Sequence, residues 1–147
     1  MESRWRPDRG KAEEGMKRKN EETGCPCGGK SYAICCEPYH RGKPAETAEK
    51  LMRSRYSAYV KGLWEYVHRT WDDRTRPDLA ELQGDRGNKW LGLEVKRHEE
   101  HGDEAIVEFV ARYKTDGRAH RLHEVSRFTR LDGNWIYVKG SFPEDSQ

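Results

Sequence analysis

Residues 105–138 read AIVEFVARYKTDGRAHRLHEVSRFTRLDGNWIYV and contain the clearest structural pattern in the chain. Apolar side chains alternate with mostly polar ones from Ala105 to Tyr113, which is typical of a strand with one buried face. Two Asp-Gly dipeptides, at 116–117 and 132–133, separate the runs, and Asp-Gly in this position strongly favours a tight hairpin turn. The segment therefore predicts three consecutive antiparallel strands.

The residues before this segment add one more strand and two helices. Residues 91–96 alternate in the same way and predict a strand. The apolar spacing is helical over residues 46–60, between a Thr47 cap and a terminating Gly62, and a second helix is predicted over 63–71. Helices followed by about four antiparallel strands predict an α+β domain, in which a helical hairpin packs on one face of a curved sheet.

The composition is polar for a single folded domain. Charged residues are 37% of the 147 and apolar residues 33%, below the roughly 45–50% of an average domain. Thirteen charges fall in residues 1–22, which we predict to be a disordered tail, with a second polar tail at 143–147. Apolar runs are too short for a membrane span or a secretory signal, so we expect a cytoplasmic protein. A net charge of +2 argues against nucleic acid as a partner.

All four cysteines lie within one twelve-residue stretch, CPCGGKSYAICC. Thiolates gathered by a glycine turn suit tetrahedral Zn²⁺, with metal–sulfur distances of about 2.3 Å. Disulfides are less favoured, because no signal directs the chain to an oxidising compartment. Redox chemistry by the adjacent cysteine pair stays open, as does a substitute ligand in His40. The candidate zinc ligands are Cys25, Cys27, Cys35 and Cys36.

The cysteine stretch resembles the SEC-C motif, a small zinc knuckle also found at the C-terminal tail of the SecA translocase ATPase. The strings LMRSRYSAY (51–59), LHEVSRF (122–128) and GNWIY (133–137) are similar to the bacterial YchJ-type proteins, whose biochemical role is not established. The resemblance implies a zinc knuckle at 23–44, followed at 45–142 by a nuclear-transport-factor-2-like domain. That fold is a curved antiparallel sheet with helices across its concave side.

The cysteine spacing differs from that motif by one residue. Seven residues separate Cys27 from Cys35, whereas the motif has eight, and Gly28-Gly29-Lys30 stands where the family has Gly-Ser-Gly-Lys. We therefore expect an altered turn in which the four sulfur atoms still converge.

The second domain offers a candidate pocket, because nuclear-transport-factor-2-like folds often enclose one in their cone. On a regular strand, residues 122, 124, 126 and 128 share one face, while 123, 125 and 127 share the other. Both faces mix polar and apolar groups, which fits a partly wet concavity. The candidate pocket residues are Tyr56, Trp71, His123, Glu124 and Arg127.

These features favour a zinc-binding accessory protein over an enzyme, and no known catalytic motif assigns a catalytic residue. By analogy with the SecA tail, we expect the knuckle to contact a protein or ribosomal partner. The α+β domain would then be a scaffold or bind a small molecule. Two alternatives stay open: an isomerase- or hydrolase-like enzyme that uses the polar pocket, and a thiol or metal sensor that uses the cysteine cluster.

Overall fold

The computed structural model describes residues 24–84 and 88–143, which form four helices and one four-stranded sheet. The predicted tail at 1–22 lies outside the described residues, as does the tail at 143–147 apart from Pro143. The elements are α1 (Glu37–His40), α2 (Ala48–Lys61), α3 (Trp64–Arg69), α4 (Leu79–Gln83), β1 (Lys89–His101), β2 (Glu104–Thr115), β3 (Arg118–Leu131) and β4 (Asn134–Ser141).

The strands form an antiparallel sheet in the order β1-β2-β3-β4, which confirms the predicted α+β fold. Both Asp-Gly turns are present. The backbone angle φ is 54° at Asp116 and 78° at Gly117, and it is 52° at Asp132 and 81° at Gly133. Positive φ at both central residues characterises the type I′ turn, whose twist matches that of the strands it joins.

Strand β1 extends beyond the predicted 91–96, because its charged second half pairs with β2 as far as His101 and Glu104. The alternating pattern does not reveal this half, since its residues are exposed on both faces. Two register shifts interrupt β1, and such bulges bend and twist a strand. Helix α2 contacts β1, β2 and β4, so it lies across the inner face of the sheet.

Helix α2 begins and ends where its sequence signals predict. The Thr47 hydroxyl accepts a hydrogen bond from the Lys50 amide at 3.1 Å, which caps the first turn. Gly62, with φ of 73°, ends the helix in the left-handed conformation that suits glycine. Although α2 is the longest described helix, neither it nor any other described helix is long and apolar enough to cross a membrane.

Helix α3 is shorter than the predicted 63–71 and leaves Trp71 outside it. The backbone of strand β4 forms hydrogen bonds with residues 70 and 72. The Tyr137 amide donates to the Thr70 oxygen at 2.8 Å, and the Asp72 amide donates to the Tyr137 oxygen at 2.8 Å. The prediction that this helix reaches residue 71 was wrong, because these backbone bonds place Trp71 against the sheet instead.

One hydrophobic cluster joins the cysteine segment to the sheet. Cys25, Cys27 and Cys36 are buried in the same cluster as Leu51 of α2 and Phe128 of β3. Each of these five side chains is at most 6% exposed. The N-terminal segment and the α+β domain therefore share one core.

Candidate metal centre and ligand cavity

The structure brings the four candidate zinc ligands together. Their sulfur atoms all lie within 4.8 Å of one another, and all four cysteines are free of disulfides. The Cys27 sulfur is 3.5 Å from that of Cys35 and 3.7 Å from that of Cys36, and the last two are 3.9 Å apart. A tetrahedral site with metal–sulfur distances of about 2.3 Å has sulfur–sulfur edges of about 3.8 Å. The donor set therefore fits a four-coordinate, thiophilic metal ion.

Two glycines let the short loop between Cys27 and Cys35 close. Gly28 has φ of 105°, and its amide donates to the Cys25 oxygen at 2.9 Å. A Cβ atom at Gly29 would lie only 2.6 Å from the Cys35 sulfur. The loop is one residue shorter than the family motif, and its sulfur atoms still converge because bare backbone occupies the space beside them.

The Gly29→Ala variant tests this close approach. The added methyl group will displace the Cys35 thiolate, and we expect zinc affinity to fall roughly 10- to 100-fold, as when groups that support a metal ligand are disturbed. Competition against a chelator of known affinity measures the change. In the matched variant Gly84→Ala, the new Cβ meets its neighbours at an ordinary 3.6 Å, so affinity should not change. Equal affinity in both variants would contradict the proposed crowding.

Helix α2 supports the cysteine cluster with polar side chains. The buried Ser57 hydroxyl donates to the Cys36 sulfur at 3.3 Å and lies 3.4 Å from the Cys25 sulfur. The Arg53 Nη1 donates to the Cys27 backbone oxygen at 3.0 Å. Groups that hydrogen-bond to a metal ligand fix its orientation. The cysteine spacing alone does not predict these contributions, because α2 lies well beyond the motif in sequence.

His40 does not serve as a substitute ligand. Its Nε2 lies 2.8 Å from the Ser54 backbone oxygen, which can only accept, so Nε2 carries the proton. Its Nδ1 then accepts from the Tyr32 hydroxyl at 2.7 Å. Burial lowers the pKa of the ring, which favours this neutral form. Both nitrogens are occupied, and the idea that His40 replaces a cysteine was wrong.

The contacts within the cluster shift the pKa values of the thiols in opposite directions. Hydrogen bonds from Cys27 and Cys36 lower the pKa of Cys25. The bonds to Cys25 and Cys27, together with burial, raise the pKa of Cys36. Burial also raises the pKa of Cys35 to about 12. A divalent cation must displace the remaining protons, so metal binding releases protons and weakens as the pH falls.

A cavity of about 300 Å³ lies between α2 and the inner face of the sheet. Three of the five candidate pocket residues line it: Tyr56 from α2, Trp71 from the segment after α3, and Glu124 from β3. Met52, Arg55 and Tyr56 follow helical spacing on one side of α2, which is why they reach the cavity together.

The other two candidate residues lie outside the cavity, which corrects the prediction. His123 is on the opposite face of β3, where its Nε2 is 2.7 Å from the Glu108 carboxylate. Arg127 is on that face too, 56% exposed and 4.0 Å from Glu104. Successive side chains of a strand point to opposite faces, so neither residue can join Glu124.

Glu124 is held in place by two hydroxyl groups. Its Oε2 accepts from Tyr137 at 2.7 Å and from Ser126 at 2.8 Å, and the residue as a whole is 8% exposed. Gly140 of β4 makes room for it, because a Cβ there would overlap the Glu124 carboxyl group. The sequence prediction omitted Ser126 and Tyr137, although Ser126 shares the strand face of Glu124 and could have been found by parity.

Arg55 is a buried charge that the predicted pocket omitted. The side chain is 6% exposed, and its guanidinium carbon lies 4.5 Å from the ring centre of Tyr137 and 5.0 Å from that of Trp71. Nη1 donates to the Val67 oxygen at 2.9 Å and to the Thr70 hydroxyl at 2.7 Å. Burial lowers the pKa of the guanidinium, and the electrostatic effects of nearby tyrosines and of the Glu124 carboxylate partly offset this change.

The sequence of residues 47–140 matches the family model described as "YchJ, middle NTF2-like domain". The chain belongs to this family. It is 52% identical over 129 residues to a UPF0225 protein of Chromobacterium violaceum, a match that covers 84% of this chain and 96% of that protein. The recognition made from the cysteine stretch and the downstream strings is thereby confirmed.

Two solved structures of SEC-C motif containing proteins are similar to this chain over most of its length. A SEC-C motif containing protein from Rhodopseudomonas palustris has a TM-score of 0.77 and 34% identity, covering 82% of this chain and 99% of that one. A SEC-C motif containing protein from Psychrobacter arcticus has a TM-score of 0.68 and 31% identity, covering 82% of each chain. This chain thus shares its fold with two proteins that contain a SEC-C motif, and its residues 47–140 match an NTF2-like family model.

Proposed function

We propose that this YchJ-like protein is a zinc-binding accessory protein whose α+β domain binds a small molecule. A structural zinc ion cross-links the cysteine segment, and the segment packs on α2. The observation that carries the proposal is a single cavity onto which two buried charged side chains, Arg55 and Glu124, both open. Convergent polar groups in an otherwise apolar pocket are the usual signature of a ligand site.

The cysteine cluster supports a structural role for the metal. Four thiolates complete a tetrahedral shell and leave no position for a substrate or a reactive water. Three of the four cysteines are buried, and Cys35 is partly exposed. Zinc in this setting stabilises the fold, because ligands from both ends of one loop must stay together to hold it.

The other functions suggested by the sequence stay predictions. The outer side of the knuckle exposes Ile34, which is 78% accessible, but single exposed apolar side chains are common on protein surfaces. Contact with a protein or ribosomal partner therefore stays a prediction. The enzyme alternative loses His123 as an acid or base in the cavity. The sensor alternative would need the thiols to exchange metal or oxidise.

Metal analysis of the purified protein tests the first half of the proposal. We expect about one zinc ion per chain by elemental analysis and native mass spectrometry. A disulfide among the four cysteines in place of metal would overturn the structural zinc site.

Thermal stability in the presence of ligands tests the second half. A panel of neutral and charged small metabolites should contain members that raise the melting temperature of the zinc-loaded protein, because a ligand that binds only the folded state stabilises it. The Leu122→Trp variant fills the cavity and should abolish the shift. The matched variant Leu91→Trp, at a strand position that is 50% exposed, should keep it. If no compound gave a shift that Leu122→Trp abolished, binding in the cavity would be contradicted.

A further inference from the structure

We infer that the cavity binds a small carboxylic acid that also carries a hydrogen-bond donor, such as a hydroxy or amino group. This inference rests on the small-molecule binding proposed above and adds the chemical class of the ligand. It follows from the unused hydrogen-bonding atoms of Arg55 and Glu124 and from the aromatic walls between them.

The free edge of Arg55 fits a carboxylate. Nη1 is fully engaged with Val67 and Thr70, whereas Nε and Nη2 have no partner among the described residues. Within residues 24–84 and 88–143, the unpaired polar side-chain atoms that are completely buried are the indole nitrogens of Trp71 and Trp135. Nε and Nη2 of Arg55 are therefore not completely buried, and we infer that they face the cavity, because Arg55 lines it. Two parallel N–H groups of this kind form the fork that binds a carboxylate through both oxygens.

The charge of Arg55 also favours an anion. Among the described residues no carboxylate forms an ion pair with Arg55, and the Glu124 carboxylate in the same cavity acts on it only through space. The aromatic rings of Trp71 and Tyr137 supply only part of the lost hydration. A buried charge is stable in proteins when it is paired and hydrogen-bonded. A bound carboxylate would supply both the countercharge and the two missing hydrogen bonds.

Glu124 specifies the second group on the ligand. Both hydroxyl bonds go to Oε2, so Oε1 is left without a partner among the described residues. Oε1 is not among the completely buried unpaired atoms of these residues, so it is accessible. A carboxylate oxygen only accepts hydrogen bonds, so the ligand must donate one. Tyr137 connects the two groups, because its ring lies against Arg55 and its hydroxyl reaches Glu124. One small molecule can therefore contact both.

The residues that line the cavity limit the size of the ligand and favour an apolar or aromatic part in it. Trp90, Phe109 and Tyr113 contribute apolar aromatic surface. A volume of about 300 Å³ lies at the small end of the roughly 300–1,000 Å³ found for ligand pockets, which excludes a dinucleotide-sized cofactor. The Glu124 carboxylate disfavours a doubly charged phosphate. A ligand with one carboxylate and one donor group suits both Arg55 and Glu124.

A matched series of probes tests the class on the zinc-loaded protein. Phenyllactic acid has the carboxylate and the donor, phenyllactamide has a neutral amide instead of the carboxylate, and phenylpropionic acid lacks the hydroxyl. Isothermal titration calorimetry measures the affinities, and tryptophan fluorescence from Trp71 and Trp90 reports occupancy. We expect phenyllactic acid to bind about tenfold or more tightly than either analogue, since each lost bond involves a charged partner.

Two variants connect these preferences to the residues. Arg55→Lys keeps the positive charge but has no fork, so the preference for acid over amide should fall at least fivefold. In Glu124→Gln, the amide oxygen will take the position that accepts from Tyr137 and Ser126, and the NH₂ group will face the ligand. The preference for the hydroxy acid over phenylpropionic acid should then fall, because the ligand hydroxyl loses a charged acceptor and can only accept from a neutral NH₂ group. Arg127→Lys, on the opposite face, is the matched control and should change neither preference.

The outcomes separate the ligand class from the proposed function. If phenyllactamide binds as tightly as the acid, or Arg55→Lys keeps the wild-type preference, the carboxylate class is overturned while binding in the cavity stands. If none of the three probes binds at millimolar concentration and the metabolite panel also fails, both the class and the small-molecule function are overturned.

Discussion

If the cysteine cluster holds zinc as proposed, replacing Cys27 by serine will release the metal ion and lower the free energy of unfolding by roughly 4 kcal/mol or more, the range reached when a structural metal is lost. Cys27 is 1% exposed and lies within 3.7 Å of two other sulfur atoms. A serine hydroxyl is a poor zinc ligand, and the three remaining thiols would leave the shell open. Because these thiols are part of the domain core, the loss will destabilise the sheet as well as the loop.

The zinc content and the urea unfolding midpoint, measured on the same preparations, check this expectation. Ile34→Ser is the matched control, since it changes the same loop at a side chain that is 78% exposed and ligates nothing. It should retain one zinc ion and the wild-type midpoint. A Cys27→Ser protein that unfolds at the wild-type midpoint would show that the metal centre does not hold the domain together.

Replacing Gly140 by alanine will displace the Glu124 carboxylate and cost about 3 kcal/mol of folding free energy, as expected when buried hydroxyl groups lose their acceptor. The new methyl group would overlap the carboxyl group and lie 2.8 Å from the Glu124 Cγ. Glu124 cannot move away from this methyl group without breaking its hydrogen bonds to Tyr137 and Ser126. The variant should also lose the preference for ligands with a donor group.

Chemical unfolding gives the stability change, and the probe series gives the ligand preference. Gly92→Ala is the appropriate comparison, because its Cβ would meet nothing within 4 Å and its backbone conformation suits alanine. We expect it to match the wild type in both measurements. Wild-type stability in Gly140→Ala would mean that Glu124 finds an equivalent position and that its observed bonds contribute little.

The local patterns in the sequence predicted most of the fold. Alternation and two Asp-Gly turns predicted β2, β3 and β4, because a hairpin is specified by residues that are close in sequence. The Thr47 and Gly62 signals predicted α2 for the same reason. The end of α3 could not be predicted, since Trp71 is drawn out of the helix by strand β4, more than sixty residues later.

The candidate sites also differ in how far the local sequence predicts them. Four cysteines in twelve residues are enough to predict a metal centre, and strand parity placed Glu124 on one face and His123 on the other. Nothing local indicates that Arg55 is buried, because an arginine in an amphipathic helix is usually exposed. Its burial depends on two aromatic rings supplied by distant segments, Trp71 and Tyr137.

Helix α2 contacts the metal centre with one side and lines the cavity with the other. Ser57 reaches the sulfur atoms, while Arg55 and Tyr56 line the cavity. Fourteen residues make a rod about 21 Å long, which moves as one piece. Neither site can be reshaped by tilting this rod without disturbing the other. A substitution that shifts α2 will therefore affect both sites, and we expect the ligand preference to be easier to change from the strands than from the helix.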